Sequence, residues 1–111
     1  MGRFGRTRRI GIVTLVATTA LGVGVAQAGG ARVKASNYTF KPRTLTVQKG
    51  DKVVWKWING SHTVTFRKGS YDKRLNRAHP RRARTFRKRG TFRYYCRPHR
   101  SLGMKGKIVV N

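Results

Sequence analysis

Near its C-terminus the chain carries Cys96, His99 and Met104 within nine residues, spaced Cys-x-x-His-x-x-x-x-Met, and a further imidazole, His62, stands upstream in Ser-His-Thr-Val. A thiolate, two imidazoles and a thioether form a recognisable donor set: two His and one Cys, with a long, weak Met on the axis, is how a blue-copper electron-transfer site is built. The sulfur donors suit Cu(I), the imidazoles serve Cu(II) as well, and a geometry between the two preferences keeps small the rearrangement that accompanies transfer of one electron. Each residue alone has a duller reading, since a core-facing Cys is ordinarily a small buried hydrophobe and Met fills gaps in cores. Together the spacing favours ligands, and Met104 is the only Met besides the initiator. His79, in Ala-His-Pro-Arg, has no companion at ligand spacing and reads as a solvated loop residue.

The elements that must position these donors begin after a leader. Arg3, Arg6, Arg8 and Arg9 form a charged start, Ile10 to Val25 is apolar and uncharged, and Ala26-Gln27-Ala28 is a small-x-small cleavage site. Residues 1–28 are therefore expected to be a signal peptide for ordinary secretion, with an uncleaved leader as the alternative that would anchor the protein to a membrane. Cleavage leaves residues 29–111, a single domain of 83 residues whose core is marginal without a staple. One Cys cannot form an internal disulfide, but a bound ion adds its binding energy to the folded state. The expected domain lacks helical periodicity. It alternates over Arg32–Phe40, Thr44–Val47, Lys52–Ile58, Ser61–Arg67, Arg82–Phe86, Thr91–Cys96 and Lys105–Val110, with turn residues between, which predicts an all-β sandwich. Asn59-Gly60 carries a tight-hairpin signal, and Gly69–Pro80 reads as a polar surface loop with at most one short edge strand. Alternation sets His62 with Val64 and Phe66, and Cys96 with Phe92 and Tyr94, on core-side faces at strand ends. The other two donors hang from the loop beyond.

With the motifs in view, Cys96-Arg-Pro-His99-Arg-Ser-Leu-Gly-Met104-Lys-Gly-Lys-Ile-Val-Val-Asn111 resembles the C-terminal signature of the plastocyanin/pseudoazurin branch of the cupredoxins. Phe40-Lys-Pro-Arg-Thr-Leu-Thr-Val-Gln-Lys-Gly-Asp-Lys-Val-Val-Trp-Lys-Trp57 is similar to that family's N-terminal strands, and Gly90-Thr-Phe-Arg-Tyr-Tyr-Cys96 to its penultimate strand. The likeness runs from Tyr38 to Asn111. It implies a Greek-key β-sandwich holding one copper ion, with His62, Cys96 and His99 as equatorial ligands and Met104 as the axial one. It also implies that electrons pass at the solvent edge of His99, within a small apolar rim of Pro98, Leu102 and Gly103. Tyr95 would match the aromatic residue of a second electron route, and Asn59 the residue that ties the first-His loop to the Cys loop. Two departures stand out: the interval from His62 to Cys96 is compact, and the surface is basic where plant plastocyanins are acidic.

Charge is the other outlier. The chain carries 27 Lys and Arg against two Asp and no Glu, a formal +25. Without the leader's four Arg it is +21, and between Arg67 and Arg89 11 of 23 residues are basic. Such a field steers encounter with anionic partners and says nothing of fold. An acidic redox partner protein is expected, docking with the help of Arg97 and Arg100 beside Pro98 and His99. Expected export argues against nucleic acid as the partner and leaves an anionic cell envelope as a second target. Three His in all cannot build a second, open copper site, so the chain is expected to be a monomeric electron carrier, not an enzyme. A copper carrier or storage protein, and a polyanion binder in which copper is incidental, are the rival readings.

Overall fold

The computed structural model describes the backbone of residues 23–25 and all of residues 31–111. The charged start of the expected leader and its cleavage site lie outside the described residues. Ten strands are described: β1 Val23–Val25, β2 Ala31–Ser36, β3 Thr39–Lys41, β4 Thr44–Val47, β5 Lys52–Trp57, β6 His62–Phe66, β7 Asp72–Leu75, β8 Arg81–Thr85, β9 Gly90–Tyr95 and β10 Lys105–Val110. A single 3-10 turn, Arg100–Leu102, interrupts the loop between β9 and β10. The strands form two mixed sheets, six-stranded in the order β1-β4-β10-β9-β6-β7 and four-stranded in the order β3-β2-β5-β8. The expected all-β sandwich is what forms.

Alternation builds the layers as period-2 patterning requires. In β5, Val53 and Trp55 are buried; in β9 and just beyond it, Tyr94 and Cys96; in β10, Ile108 and Val110. Between the sheets Trp55 meets Tyr94 and Phe66 edge-on, with ring centroids 5.4 and 5.7 Å apart, and Phe40 meets Tyr94 at 4.8 Å. These offset geometries suit the ring quadrupoles. Gly106 is needed on β10 because a Cβ there would stand 2.6 Å from the Tyr94 hydroxyl and 2.9 Å from the Arg43 carbonyl.

Three expectations need correction. The single segment expected over Arg32–Phe40 is two strands, β2 and β3, which fold back on each other antiparallel around Asn37-Tyr38. Asn59-Gly60 does not close a hairpin: β5 pairs with β2 and β8, whereas β6 pairs with β9 and β7, so the turn carries the chain from one sheet to the other. Its geometry is fixed by the Trp57 indole N–H donating to the Gly60 carbonyl at 2.7 Å and by Ile58 N donating to Ala35 O at 2.9 Å. Finally, β6 does not alternate. Thr63 and Thr65 are buried along with His62, Val64 and Phe66, because β7 and the loop after β9 cover their side. That strand, Asp72–Leu75, is the edge strand allowed for in Gly69–Pro80.

Candidate metal centre

His62 opens β6 and Cys96 follows the last residue of β9, so two core-facing strand ends deliver a buried imidazole and a buried thiol to the same pole. The loop from Cys96 to Met104 then folds over them. Cys96 N donates to Met104 O at 3.0 Å and Met104 N to His99 O at 3.3 Å, while Leu102 N reaches His99 O at 2.9 Å and Gly103 N reaches Arg100 O at 3.0 Å. Gly103 takes the left-handed conformation that ends the 3-10 turn, φ +82°. Met104 is thereby set against Cys96 and His99 with its side chain wholly buried, and His99 is left half-buried at the rim.

The donor atoms converge. His62 Nδ1 and His99 Nδ1 are 3.3 Å apart, and Cys96 Sγ lies 3.7 Å from the first and 3.4 Å from the second. Three donors sharing one first-row ion, at about 2.0–2.1 Å from nitrogen and about 2.3 Å from sulfur, sit at such separations. The tautomer agrees: His62 Nε2 donates to the Asn59 carbonyl at 2.7 Å, which leaves Nδ1 with its lone pair turned inward. Burial, the dominant influence, pushes the His62 pKa below its ordinary value of 6.5; the bond to Asn59 opposes this and the nearby His99 adds to it. A neutral imidazole is the ligating form. A thiolate, two imidazoles and a buried thioether select copper over harder ions, and His62, Cys96 and His99, with Met104, are positioned to bind it.

Around the donors the structure adds residues that sequence reading missed. Gly60, at φ +85°, has no room for a Cβ, which would collide with Asn37 Oδ1 and come 2.7 Å from His62 Nε2. Tyr38 packs edge-on against the His99 ring with centroids 4.7 Å apart. The expected tie through Asn59 takes another form: its side-chain oxygen accepts from Asn37 N at 2.8 Å, and only its carbonyl serves His62. The link from the His62 strand to the Cys loop is made instead by Thr63, whose hydroxyl accepts from Arg97 N at 2.9 Å. That hydroxyl lies 2.8 Å from the Thr65 hydroxyl, which donates to Asp72 at 2.8 Å, and the same carboxylate oxygen receives Arg97 Nε and Nη2 at 3.2 Å each. The Thr65 hydroxyl first, and Arg97 second, hold the Asp72 pKa below its ordinary value. The signals were present: two Thr in the strand that His62 opens, and one of only two Asp in the chain.

The remaining expected residues lie nearby. Pro98 and Leu102 are exposed on the rim. The large exposed hydrophobic residues among those described, Tyr38, Ile58 and Leu102, all belong to loops at this end. Tyr95 faces the opposite side of β9 from Tyr94, partly exposed, with the Arg100 guanidinium 4.2 Å from its ring centroid. Arg97 is drawn to Asp72.

Comparison with known proteins agrees with this geometry. Residues 28–111 match the family described as copper binding proteins, plastocyanin/azurin family. Plastocyanin A/B of Petroselinum crispum is 33% identical over 84 residues, 65% of this chain and 87% of that protein. Plastocyanin of Lactuca sativa is 34% identical over 86 residues, with the same shares. The oxidised form of plastocyanin from Dryopteris crassirhizoma superposes with a TM-score of 0.67 at 25% identity, covering 73% of this chain and 100% of that one. Amicyanin from Paracoccus versutus gives 0.65 at 25% identity, covering 77% and 84%. The donor set, the sandwich that assembles it and these likenesses together place the chain in the plastocyanin/azurin family of copper-binding proteins.

Proposed function

We propose that this protein is an exported, single-domain carrier that takes up and gives up one electron at the His99 rim, docking there against an acidic redox partner protein. Plastocyanin-like members of the family are electron carriers working with redox partners, and copper held by His62, Cys96, His99 and Met104 supplies the one-electron change. The observation that carries the reading is the convergence of one sulfur and two Nδ1 atoms at a buried pole, separated by 3.3–3.7 Å. The chain's own residues do the rest. Burial favours the neutral form of His62, the Asn59 carbonyl orients its ring, and the wholly buried Cys96 and Met104 keep water from the sulfur donors. The hydrogen-bonded Cys96–Met104 loop holds its donors in place, so little has to move when charge changes. His99 turns Nδ1 inward and leaves its far edge to the rim, where Tyr38, Pro98 and Leu102 offer a dry contact. Arg97 and Arg100 flank this rim, and the scarcity of acidic residues favours an acidic partner.

Export rests on the leader expected over residues 1–28. Cleavage after Ala28 would remove β1 from beside β4 and leave the rest of both sheets in place. A carrier for delivery of copper, as against electrons, would exchange its ion readily. Voltammetry of the copper-loaded protein in the presence of a Cu(I) chelator separates the two. A reversible one-electron wave that persists with copper retained in both states is expected; loss of the ion to the chelator on reduction would make the protein a metal carrier.

A further inference from the structure

The outer face of the four-stranded sheet carries a line of cations that crosses every strand. Lys34 on β2 is in register with Lys41 on β3 and with Lys56 on β5, and Lys56 is in register with Arg81 on β8. Burial of Val33 and Ala35 turns Lys34 outward, and burial of Phe40 and of Trp55 does the same for Lys41 and Lys56. With strands about 4.8 Å apart, the line is roughly 14 Å from end to end. The rows beside it are poorer in charge. Toward the Asn37-Tyr38 turn Ser36 pairs with Thr39; on the other side Arg32, Val54 and Ala83 share a row, and Lys52 pairs with Thr85.

Like charges directly opposite one another destabilise a sheet, as Lys34 with Lys41 and Lys56 with Arg81 must in their antiparallel pairs. The protein's two aspartates do not relieve them: Asp72 is engaged by Thr65 and Arg97, and Asp51 accepts from Gln48 N in a turn. Cations on edge strands deter pairing with another sheet, which accounts for Lys41 and Arg81. It does not account for Lys34 and Lys56, because β2 and β5 are paired on both sides.

We propose that this line is a docking site for a linear phosphate polymer laid across the strands. It tethers the protein by the sheet that supplies no copper donor, since His62, Cys96, His99 and Met104 belong to the six-stranded sheet and its loop. A polymer chain meets the four cations in succession. A membrane would meet the whole face, and the large exposed apolar side chains that could enter it, Tyr38, Ile58 and Leu102, stand instead in loops at the copper pole. Three of the four cations are lysines, point charges that meet phosphate oxygens from any direction, whereas carboxylates are held best by the planar fork of Arg.

Binding is measured independently of electron transfer. The full chain, loaded with Cu(I) and labelled with nitrogen-15, is titrated with linear inorganic polyphosphate. Amide shifts are expected at Lys34, Lys41, Lys56 and Arg81, ahead of His99 and Leu102 at the rim and Arg93 and Lys107 on the other sheet. Lys34→Gln/Lys56→Gln is expected to weaken binding roughly tenfold, the loss of two exposed ion pairs. It should also shrink the slope of log affinity against log salt by about half, since two of four phosphate contacts go. Its melting point should be no lower than that of the wild type, because like-charge pairs are relieved. Lys88→Gln/Arg89→Gln, exposed in the turn between β8 and β9, removes the same charge and is expected to cost less than about twofold. Equal losses from the two variants, shifts centred on the rim or the six-stranded sheet, or a lowered melting point for the inner pair overturn the proposal. So does orthophosphate that competes as well as the polymer at equal total phosphate, which would leave no array to recognise. Tighter binding at the same residues by oligo-glutamate, or by phosphatidylglycerol vesicles, would reassign the face to an acidic protein or a membrane and likewise overturn it.

Discussion

His62 keeps its inward lone pair because Nε2 is committed to the Asn59 carbonyl at 2.7 Å, and that commitment depends on a residue with no side chain. Gly60 holds φ +85° so close to the ring that a Cβ would stand 2.7 Å from His62 Nε2. In Gly60→Ala an L-residue in the left-handed region costs about 1–2 kcal/mol, and the new Cβ must also displace His62 Nε2. Copper affinity is therefore expected to fall along with thermal stability; a melting point lowered with affinity unchanged would separate Gly60 from the site. Met104 offers a second test at this scale, since axial ligand identity tunes the potential of such centres. Met104→Gln is expected to keep copper bound and to lower the reduction potential, because a harder oxygen donor favours Cu(II). An unmoved potential would make Met104 packing alone. Cys96, His99 and Met104 were legible in the sequence because spacing within one loop is local information, and His62 followed from the donor set they require. Gly60 and Tyr38 were not legible as site residues, since their contacts with His62 and His99 exist only once the first-His turn, the Asn37-Tyr38 turn and the Cys loop are brought to one pole.

The element that fixes the Cys loop is β6, through a chain of hydroxyls. The carboxylate of Asp72 can only accept, so Thr65 donates to it; Thr63 in turn donates to Thr65 and accepts from Arg97 N. Replacing Thr63 by Val removes the acceptor from the residue next to Cys96 and is expected to cost about 1–2 kcal/mol. It should also broaden the copper absorption as the loop gains freedom. Asp72 adds a pH signature. Its folded pKa is depressed, so the stabilisation it gives is present above the ordinary value of 3.8 and is lost as pH falls through the lower folded value. With two Asp and no Glu in the chain, few carboxylates can obscure this loss. Melting curves of wild type and Asp72→Asn should differ at pH 6 and converge toward pH 2; parallel curves across that range would dismiss the circuit. Sequence periodicity placed β4, β5, β9 and β10 nearly to the residue, because each shows one face to the core. It placed β6 as closely, with His62, Val64 and Phe66 toward the core, but gave no sign that the Thr63 and Thr65 face is covered as well. It misjudged Asn59-Gly60 because a tight turn between strands of different sheets uses the same residues as a hairpin.

Over the whole molecule, charge and fold are separate problems with one point of contact. Within the basic stretch that reads as a solvated face, Arg84 turns inward on the edge strand β8, its guanidinium 4.3 Å from the Phe66 ring centroid and 4.9 Å from that of Phe86. An inward charge on an edge strand discourages pairing with another sheet, and burial holds its pKa below the usual value for Arg. The other basic residues of that stretch are exposed, Arg82 partly so, and their action is long-range. Electron-transfer rates with an acidic partner should fall steeply as ionic strength rises toward ~0.15 M, where the Debye length is about 8 Å, with association carrying most of the loss. A rate indifferent to salt would assign the basic surface some other purpose. All of this presupposes a thiolate bound in one plane with two imidazoles, and the visible spectrum of the Cu(II)-loaded protein tests that most directly. An intense blue sulfur-to-copper charge-transfer band, abolished in Cys96→Ser, is the predicted result; a pale complex with ordinary Cu(II) absorption, unchanged by that substitution, would contradict it.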